Sequence, residues 1–247
     1  IIVQQYSPLL QYEYEEASCS NFVIGLDRDP AVETFANQLY SRFPDRFYFA
    51  QTPFSAMKTV IPAILANAPS VQVFSGASAL SPVGVDGIFL DLGMSTLQIL
   101  DEHRGFSFRH EDAPLDMRMD TSRSDAPTAA DILNFASEGE LATMLWTESN
   151  EKLSRRIAAR IVEHRQVLGK FILVGDLLRT IYSVTGKWTK ESIHPATRTM
   201  QALRRRVNEE DRELREVLSS AQALLAPKGG ICAVLAFHSG EDRVVKR

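Results

Sequence analysis

The segment VDGIFLDLGMSTLQILDEHRGFSFRHEDAPLDMRMD, residues 85–120, gives the strongest indication of both fold and function. Its apolar start, Val85–Leu90, predicts a buried β-strand that ends at Asp91. The rest, rich in Gly, Arg, Asp, Phe and Met, shows neither helical nor strand periodicity. A compact domain seldom keeps so long an irregular segment unless it lines a site. Because ligands of open α/β sheets bind at the carboxyl ends of strands, we expect the active site beside Asp91.

The composition is that of an ordinary globular protein. Of 247 residues, 45% are hydrophobic, and no apolar run approaches the ~18 residues of a membrane span. Cys19 and Cys232 have no metal-type spacing, so we expect no metal site and a reducing compartment. A net charge of −4 argues against nucleic-acid binding through overall charge, although basic residues cluster locally.

A second strand that leads through an acid into a helix lies near the start. Asn21–Asp27 predicts a strand, with Asp29 as N-cap and Pro30 in the first turn of a helix that reaches about Ser41. In nucleotide-binding folds an acid in the position of Asp27 accepts hydrogen bonds from ribose hydroxyls. The alternative is that Asp27 is a second helix-capping acid.

The same alternation continues on both sides of the central segment. Arg46–Gln51 predicts a short strand, followed by Phe54, which either stacks on an adenine or fills the core. Near the end, a long helix is predicted from Pro195 to about Leu225, then a strand at Ile231–Phe237. This pattern predicts an α/β fold with a doubly wound sheet.

Residues 121–193 interrupt this alternation with helical periodicity alone. Ser137 and Glu140 form a predicted capping box, and further helices are predicted at Asn150–Gln166 and Val174–Val184. We therefore expect an inserted all-helical domain at 121–193, within a discontinuous core of residues 1–120 and 194–247.

Arginines and aromatic residues alternate in RGFSFR, residues 104–109. This pattern suits a platform for a base and its phosphates, and the alternative is a packed loop with structural ion pairs. The charges of Asp116, Arg118 and Asp120 suit either a loop brace or catalysis. Arg204–Arg206 are a basic run in the predicted long helix, for which a solvated face is the alternative.

Five motifs in order, DGIFLDLGMSTLQ, RGFSFR, PLDMRMD, IHPATRTMQALR and FHSGEDRVVKR, closely resemble one family. It is the MraW type of S-adenosylmethionine-dependent methyltransferases, which modify N4 of a cytosine in small-subunit ribosomal RNA. GLDRDP, residues 25–30, fits the same family. The resemblance implies a Rossmann-like class I methyltransferase core with a helical insertion.

The resemblance also implies roles for single residues. Asp27 would bind the cofactor's ribose hydroxyls and Phe54 would lie beside its adenine, while Asp91 and Gln98 would make further cofactor contacts. We expect Asp91 to be the catalytic residue that positions cofactor and target amine together. The wall facing the RNA would comprise Arg104, Phe106, Phe108, Arg109, Arg118, His194, Arg198 and Arg204, with residues 121–193 as an RNA-substrate domain.

The expected partner is small-subunit ribosomal RNA or the assembling subunit, with no membrane contact and no metal. The oligomeric state stays open, a dimer being one possibility. The alternative function is that of a ribosome-assembly factor with little or no methyltransferase activity, whereas a dehydrogenase has only the generic strand and acid in its favour. We expect a mitochondrial location, the alternative being the bacterial cytoplasm.

The chain departs from the family pattern in three places. The family's glycine-rich turn, of the form GxGGHS, is not found before Asn21, and we expect roughly two dozen residues to be omitted after about Cys19. The segment 68–84 resembles an insertion, and Gly240 replaces the usual Leu of HSLED.

Overall fold

The structure, a computed structural model, describes residues 22–67, 84–186, 193–227 and 229–247. The chain forms two compact units. The first comprises residues up to Gly93 together with Asp211–Arg247, and the second is Met94–Glu210. The predicted helical insertion, 121–193, lies wholly within the second unit. The predicted segments before Asn21 and at 68–83 lie outside the described residues.

The described strands are β1 (Val23–Asp27), β2 (Phe47–Gln51), β3 (Gly87–Asp91) and β4 (Ile231–Leu235). The described helices are α1 (Glu33–Arg42), α2 (Met57–Asn67), α3 (Thr96–Leu100), α4 (Ala129–Phe135), α5 (Glu138–Ser149), α6 (Ser154–Val167), α7 (Val174–Thr185), α8 (Thr197–Val207), α9 (Glu210–Leu224) and α10 (Ser239–Val245). The four strands predicted from the sequence are confirmed, with small shifts at their ends.

The strands pair in two parallel ladders within the described part of the chain. β1 pairs with β2, so that Asp27 lies opposite Gln51, and β3 pairs with β4, so that Asp91 lies opposite Leu235. Parallel pairing brings the carboxyl ends of both partners to the same edge. Each ladder therefore ends at an edge that carries one of the two predicted acids.

One cluster of buried side chains supports these strands in the first unit. Leu26 of β1 and Leu90 of β3 belong to this cluster and are each 1% exposed. Helices α2 and α9 contribute residues at helical spacing: Met57, Ile61, Leu65, Leu214, Val217 and Ala221. Because side chains alternate along a strand, Asp27 and Asp91, which follow the two buried leucines, leave the core at the strand ends.

The second unit holds the irregular segment against its helices through buried polar groups. The Asn208 side chain donates to the carbonyl oxygen of Met117 at 2.7 Å and accepts from the Met119 N–H at 2.7 Å. The guanidinium of Arg104 donates to the carbonyl oxygens of Arg118 and Met119, at 2.9 and 2.7 Å. These bonds pair backbone N–H and C=O groups of a loop that belongs to no β-sheet. Within this loop Met117 has a left-handed backbone conformation, with φ of 60°.

The prediction of one helix from Pro195 to Leu225 is wrong. Helix α8 ends at Val207 and α9 begins at Glu210, with φ of 51° at Glu209. The apolar period continues through the break, so the sequence pattern does not reveal it. The helix stops because the Asn208 side chain is used by the loop and Arg204 forms a bidentate pair with Glu210, with both N–O distances 2.7 Å.

The helix predicted from Asn150 begins later, at Ser154. Asn150 instead ends α5 in a left-handed conformation, with φ of 54°. The Glu151 carboxylate then accepts from the Leu153 N–H at 2.9 Å, which ties down the entry to α6. The predicted capping box of Ser137 and Glu140 is confirmed at the start of α5.

Gly105 provides a test of this loop packing. Its φ is 71°, and a Cβ placed there would lie 2.2 Å from the carbonyl oxygen of Pro114. We expect Gly105→Ala to lower the free energy of unfolding by about 3 kcal/mol or more, since backbone must move. The control Gly139→Ala, in the first turn of α5, meets nothing within 4 Å and should stabilise by up to about 1 kcal/mol. Equal urea midpoints for both variants would contradict the close packing at Gly105.

Candidate active site

Asp27 ends β1 with a partly buried carboxylate. Its Oδ1 accepts from the Asp29 N–H at 2.8 Å, and the Asp29 carboxylate in turn accepts from the Ala31 N–H at 3.0 Å. Burial raises the pKa of Asp27 above its ordinary value, although the hydrogen bond from Asp29 acts against this. The helix cap is thus supplied by Asp29, as predicted, while the Asp27 carboxylate accepts from backbone N–H groups of the turn that follows β1.

Asp91 ends β3, and one of its carboxylate oxygens is buried without a hydrogen-bond partner among the described residues. Its Oδ1 is shielded from solvent and has no hydrogen-bond partner within the described part of the chain. Burial raises the pKa of this carboxyl. A buried carboxylate oxygen without a donor is unfavourable for stability, and such groups are typical of sites that bind a ligand.

In each ladder, an aromatic residue follows the strand that is paired with the acid-bearing strand. Phe54 opens a short 3₁₀ turn after β2 and packs, partly buried, against the cluster that contains Leu26. Phe237 follows β4 and is 62% exposed. Gly93, just past Asp91, has φ of 88°, and a Cβ there would lie 3.4 Å from the Phe237 ring. Sequence reasoning did not select Phe237, although it follows a strand, as Phe54 does.

His238 and Glu241 complete the edge beyond β4. The His238 Nδ1 accepts from the N–H groups of Gly240 and Glu241, at 3.1 and 3.3 Å, and so caps α10. The buried Glu241 carboxylate accepts from the Phe237 N–H at 2.8 Å. These contacts fix the turn that holds the Phe237 ring beside Gly93.

Gln98, the fourth predicted cofactor residue, belongs to the second unit. It is buried, at 4% exposure, and forms a capping box with Ser95 at the start of α3. Its side-chain oxygen accepts from the Ser95 N–H at 3.1 Å. The structure thus shows a helix-capping role for this oxygen, while cofactor contact by Gln98 stays a prediction.

The residues predicted to face RNA divide into buried and accessible groups. Arg104 and Phe106 are each 7% exposed, and the Arg104 guanidinium lies over the Phe106 ring at 5.3 Å. Arg204 is 8% exposed and paired with Glu210. Since these side chains have partners inside the second unit, RNA contact by Arg104, Phe106 and Arg204 has no structural support and stays a prediction.

Phe108 and His194 form a stacked pair in the second unit. Their ring centroids are 3.9 Å apart, with an interplanar angle of 2°. The His194 Nδ1 accepts from the Ala196 N–H at 3.2 Å, so Nε2 carries the proton and donates to the Tyr182 hydroxyl oxygen at 2.9 Å. Burial lowers the pKa of His194, which favours this neutral form. Tyr182 was not selected from the sequence, because nothing local relates it to His194.

The remaining candidates are polar and at least partly accessible. Arg118 donates to both carboxylate oxygens of Asp116, at 2.8 and 2.7 Å, which makes this pair a loop brace. Arg109 and Arg198 are exposed. Exposed arginines and a stacked aromatic pair can hold phosphates and a base.

Comparisons with known proteins identify the family of this chain. The profile of the MraW methylase family matches residues 13–247. The chain belongs to this family. The family resemblance predicted from the motifs is thereby confirmed, and with it a Rossmann-like fold and the methyltransferase class of enzyme.

Individual relatives carry the same name, ribosomal RNA small subunit methyltransferase H. The Anaplasma phagocytophilum protein is 38% identical, over 94% of this chain and 72% of its own length. The Rhodospirillum centenum protein is 43% identical, over 93% of this chain and 63% of its own length. The Maricaulis maris protein is 44% identical, over 91% of this chain and 60% of its own length. The chain therefore spans less than two thirds of the second and third of these relatives.

The described residues contain no group of three or more His, Cys, Asp or Glu side chains placed to hold a metal ion. No helix in the described ranges is long and apolar enough to cross a membrane. The predicted omission of residues near Cys19 lies outside the described residues.

The two carboxyl groups at positions 91 and 116 should respond oppositely to neutralisation. A raised pKa at Asp91 means that stability is lost as pH rises through the folded-state pKa, so Asp91→Asn should raise the free energy of unfolding at pH 7. At Asp116 burial acts to raise the pKa, but the hydrogen bonds and charge of Arg118 outweigh it and lower the pKa. Asp116→Asn should therefore lower stability at pH 7, by roughly 1–3 kcal/mol.

Urea unfolding as a function of pH tests both signs. The gain in Asp91→Asn should shrink as pH falls below the folded pKa of Asp91 and vanish only below its ordinary, unfolded-state pKa. The loss in Asp116→Asn should vanish as pH falls through the lowered pKa of Asp116. A destabilised Asp91→Asn at pH 7 would show that the Asp91 carboxylate has a donor after all.

Proposed function

We propose that this protein transfers a methyl group from S-adenosylmethionine to N4 of a cytidine in small-subunit ribosomal RNA. Family membership and the shared name of its relatives support the reaction class and the RNA. The observation that carries the proposal is the shielded, unpartnered Oδ1 of Asp91 at the end of β3.

The residues at the carboxyl ends of the strands fit a nucleoside cofactor. Asp91 has a carboxylate oxygen that no described residue uses, and Asp27 ends β1 with a carboxylate that accepts from backbone N–H groups. Carboxylate oxygens suit ribose hydroxyls and an amine, because they accept hydrogen bonds. Phe54 offers an aromatic face beside the same core cluster. We assign cofactor binding to these three residues, and Gln98 is added on the family resemblance alone.

The proposed methyl transfer depends more on the alignment of the amine with the methyl group than on general acid–base catalysis. Cytosine N4 is a weak nucleophile, because its lone pair is delocalised into the ring. The cofactor supplies a sulfonium-bound methyl group, whose C–S bond breaks as the N–C bond forms. Asp91 would accept a hydrogen bond from the amine, orient the nitrogen lone pair towards the methyl carbon, and take up the proton that the methylated nitrogen releases. Holding the groups in line supplies a large part of the rate.

The second unit is proposed as the RNA-substrate part of the protein, with the helical insertion 121–193 inside it. The stacked Phe108 and His194 rings and the exposed Arg109 and Arg198 support this role. The partner is proposed to be ribosomal RNA or an assembling small subunit. The location is proposed to be mitochondrial, supported by the divergence from the family motifs, such as Gly240 in place of the usual Leu, and by the extra segment 68–84. A fluorescent fusion of the full-length protein tests it.

Substitution of Asp91 tests the catalytic assignment in the full-length protein. We expect Asp91→Ala to lower the rate of methyl transfer by about 100-fold or more while RNA binding persists, since the RNA candidates are in the second unit. Transfer is measured with radiolabelled S-adenosylmethionine and small-subunit RNA. The control Asp211→Asn removes a surface acid paired with Arg215 on α9 and should keep full activity.

Two other outcomes would be decisive. Loss of RNA binding in Asp91→Ala would show that the assigned role is wrong. If the unaltered full-length protein binds RNA, but calorimetry shows no binding of S-adenosylmethionine, an assembly factor without methyltransferase activity replaces the proposal.

The RNA surface is best tested at exposed arginines only. Arg205 is buried against Glu148, and Arg204 against Glu210, so neutralising the whole run 204–206 would disturb folding. We expect Arg198→Gln to weaken RNA binding and to make the salt dependence shallower by about 0.7 in the slope of log K against log salt. An unchanged slope in anisotropy titrations would place the RNA surface elsewhere.

A further inference from the structure

Helices α6 and α7 of the second unit leave an open cavity of about 270 Å³ between them. We call it the α6–α7 notch. It is lined by Arg160, His164, Val167 and Leu168 from the α6 side, and by Arg179, Thr180 and Ser183 from α7, among others. None of these residues belongs to the candidate active site, and the cavity is far larger than a water molecule requires.

Two arginines face the notch from opposite helices and are held in place by acids. Arg160 donates from Nε to the Ser183 hydroxyl at 3.1 Å and from Nη1 to Glu163. Arg179 donates from Nη2 to Asp176 at 2.5 Å. Their side chains stay 45% and 67% exposed. Each guanidinium has five N–H groups, so both retain donors that no described residue uses and that suit a phosphate.

Arg156 adds to the positive charge at the same end of α7. It is exposed, and its Nη2 approaches the carbonyl oxygen of Val184 at 3.4 Å. Three arginines thus stand against two acids, Glu163 and Asp176, which leaves a net positive charge. This excess favours an anion over a cation as ligand.

His164 lines the notch, and one nitrogen of its ring is available as an acceptor. Its ring stacks on Phe171, with centroids 4.3 Å apart, and burial lowers its pKa, which favours the neutral form. The Thr180 hydroxyl donates to the Asp176 carbonyl oxygen at 2.9 Å, so the contact between Thr180 Oγ1 and His164 Nδ1, also 2.9 Å, needs the proton on Nδ1. Nε2 is then an acceptor, and no described residue donates to it.

The rim of the notch is apolar. Val167 and Leu168 end α6 with exposed fractions of 73% and 75%. Large aliphatic side chains gain free energy when they are covered, and a sugar or base provides such cover. The notch therefore offers phosphate donors, a hydroxyl acceptor and an apolar rim within one small space.

We propose that the α6–α7 notch binds one nucleotide of the RNA substrate. The phosphate is held by Arg160 and Arg179, the ribose 2′-hydroxyl donates to His164 Nε2, and the nucleoside covers Leu168. The 2′-hydroxyl contact makes the site selective for RNA over DNA. This inference rests on the proposed function, since it takes RNA as the ligand, and it adds a subsite outside the catalytic edge.

Charge neutralisation tests the phosphate contact in the full-length protein. Binding of a short, labelled single-stranded RNA is followed by anisotropy over a range of salt concentrations. We expect R160Q/R179Q to weaken binding and to make the salt slope shallower by about 0.7 for the lost phosphate. The matched control R212Q/R215Q removes two exposed, acid-paired arginines from α9 and should bind RNA like the unaltered protein.

His164→Gln tests the ribose contact separately. Each protein is titrated with RNA and DNA of the same sequence, and we expect the RNA preference of the unaltered protein to fall in this variant. An unchanged preference, an unchanged salt slope in R160Q/R179Q, or an equal loss in the α9 control would overturn the proposal. Thermal unfolding of every variant confirms that it is folded, and Arg179→Gln alone, 67% exposed, serves if the double variant is not.

The outcomes separate this inference from the proposed function. If the unaltered protein fails to bind RNA at all, both the proposed function and the proposed nucleotide site in the notch are wrong. If it binds and methylates RNA while the notch variants behave like the unaltered protein, only the proposal for the notch is wrong.

Discussion

Asp91 lies at the end of β3 without a hydrogen-bond donor for Oδ1 among the described residues. The packing of the first unit fixes the backbone on both sides of it. Leu90 anchors the strand in the core, and pairing with β4 fixes the register up to Leu235. Two residues after Asp91, Gly93 has a left-handed backbone conformation and lies against the Phe237 ring. The unsatisfied carboxylate oxygen lowers the stability of the folded protein, and a bound ligand that donates a hydrogen bond to it would restore that stability.

The second unit solves a different problem, which is to keep a long irregular segment rigid. Buried polar side chains, chiefly Arg104 and Asn208, satisfy backbone groups that a sheet would otherwise pair. Several arginines that look like RNA ligands in the sequence are used for this packing. The groups left at the surface, such as the stacked rings of Phe108 and His194, are fewer and better positioned.

The sequence predicted what depends on local pattern. Apolar runs that end in an acid located β1 and β3, and the Ser137 capping box located the start of α5. The break between α8 and α9 could not be predicted, because the apolar period runs through it and only the tertiary contacts of Asn208 end the helix. Burial of Arg204 and the link from Tyr182 to His194 also depend on distant chain segments. The cofactor roles came from family motifs, which local physics leaves undecided.

The clamp formed by Asn208 has a consequence for how this chain can diverge. Met117 holds a left-handed backbone that a non-glycine residue adopts at a cost of about 1 kcal/mol or more, and the Asn208 amide secures that conformation. Positions 117 and 208 are therefore expected to change together during evolution. A lineage that loses the amide would need glycine or asparagine at 117, whereas one that keeps it tolerates a bulky side chain there.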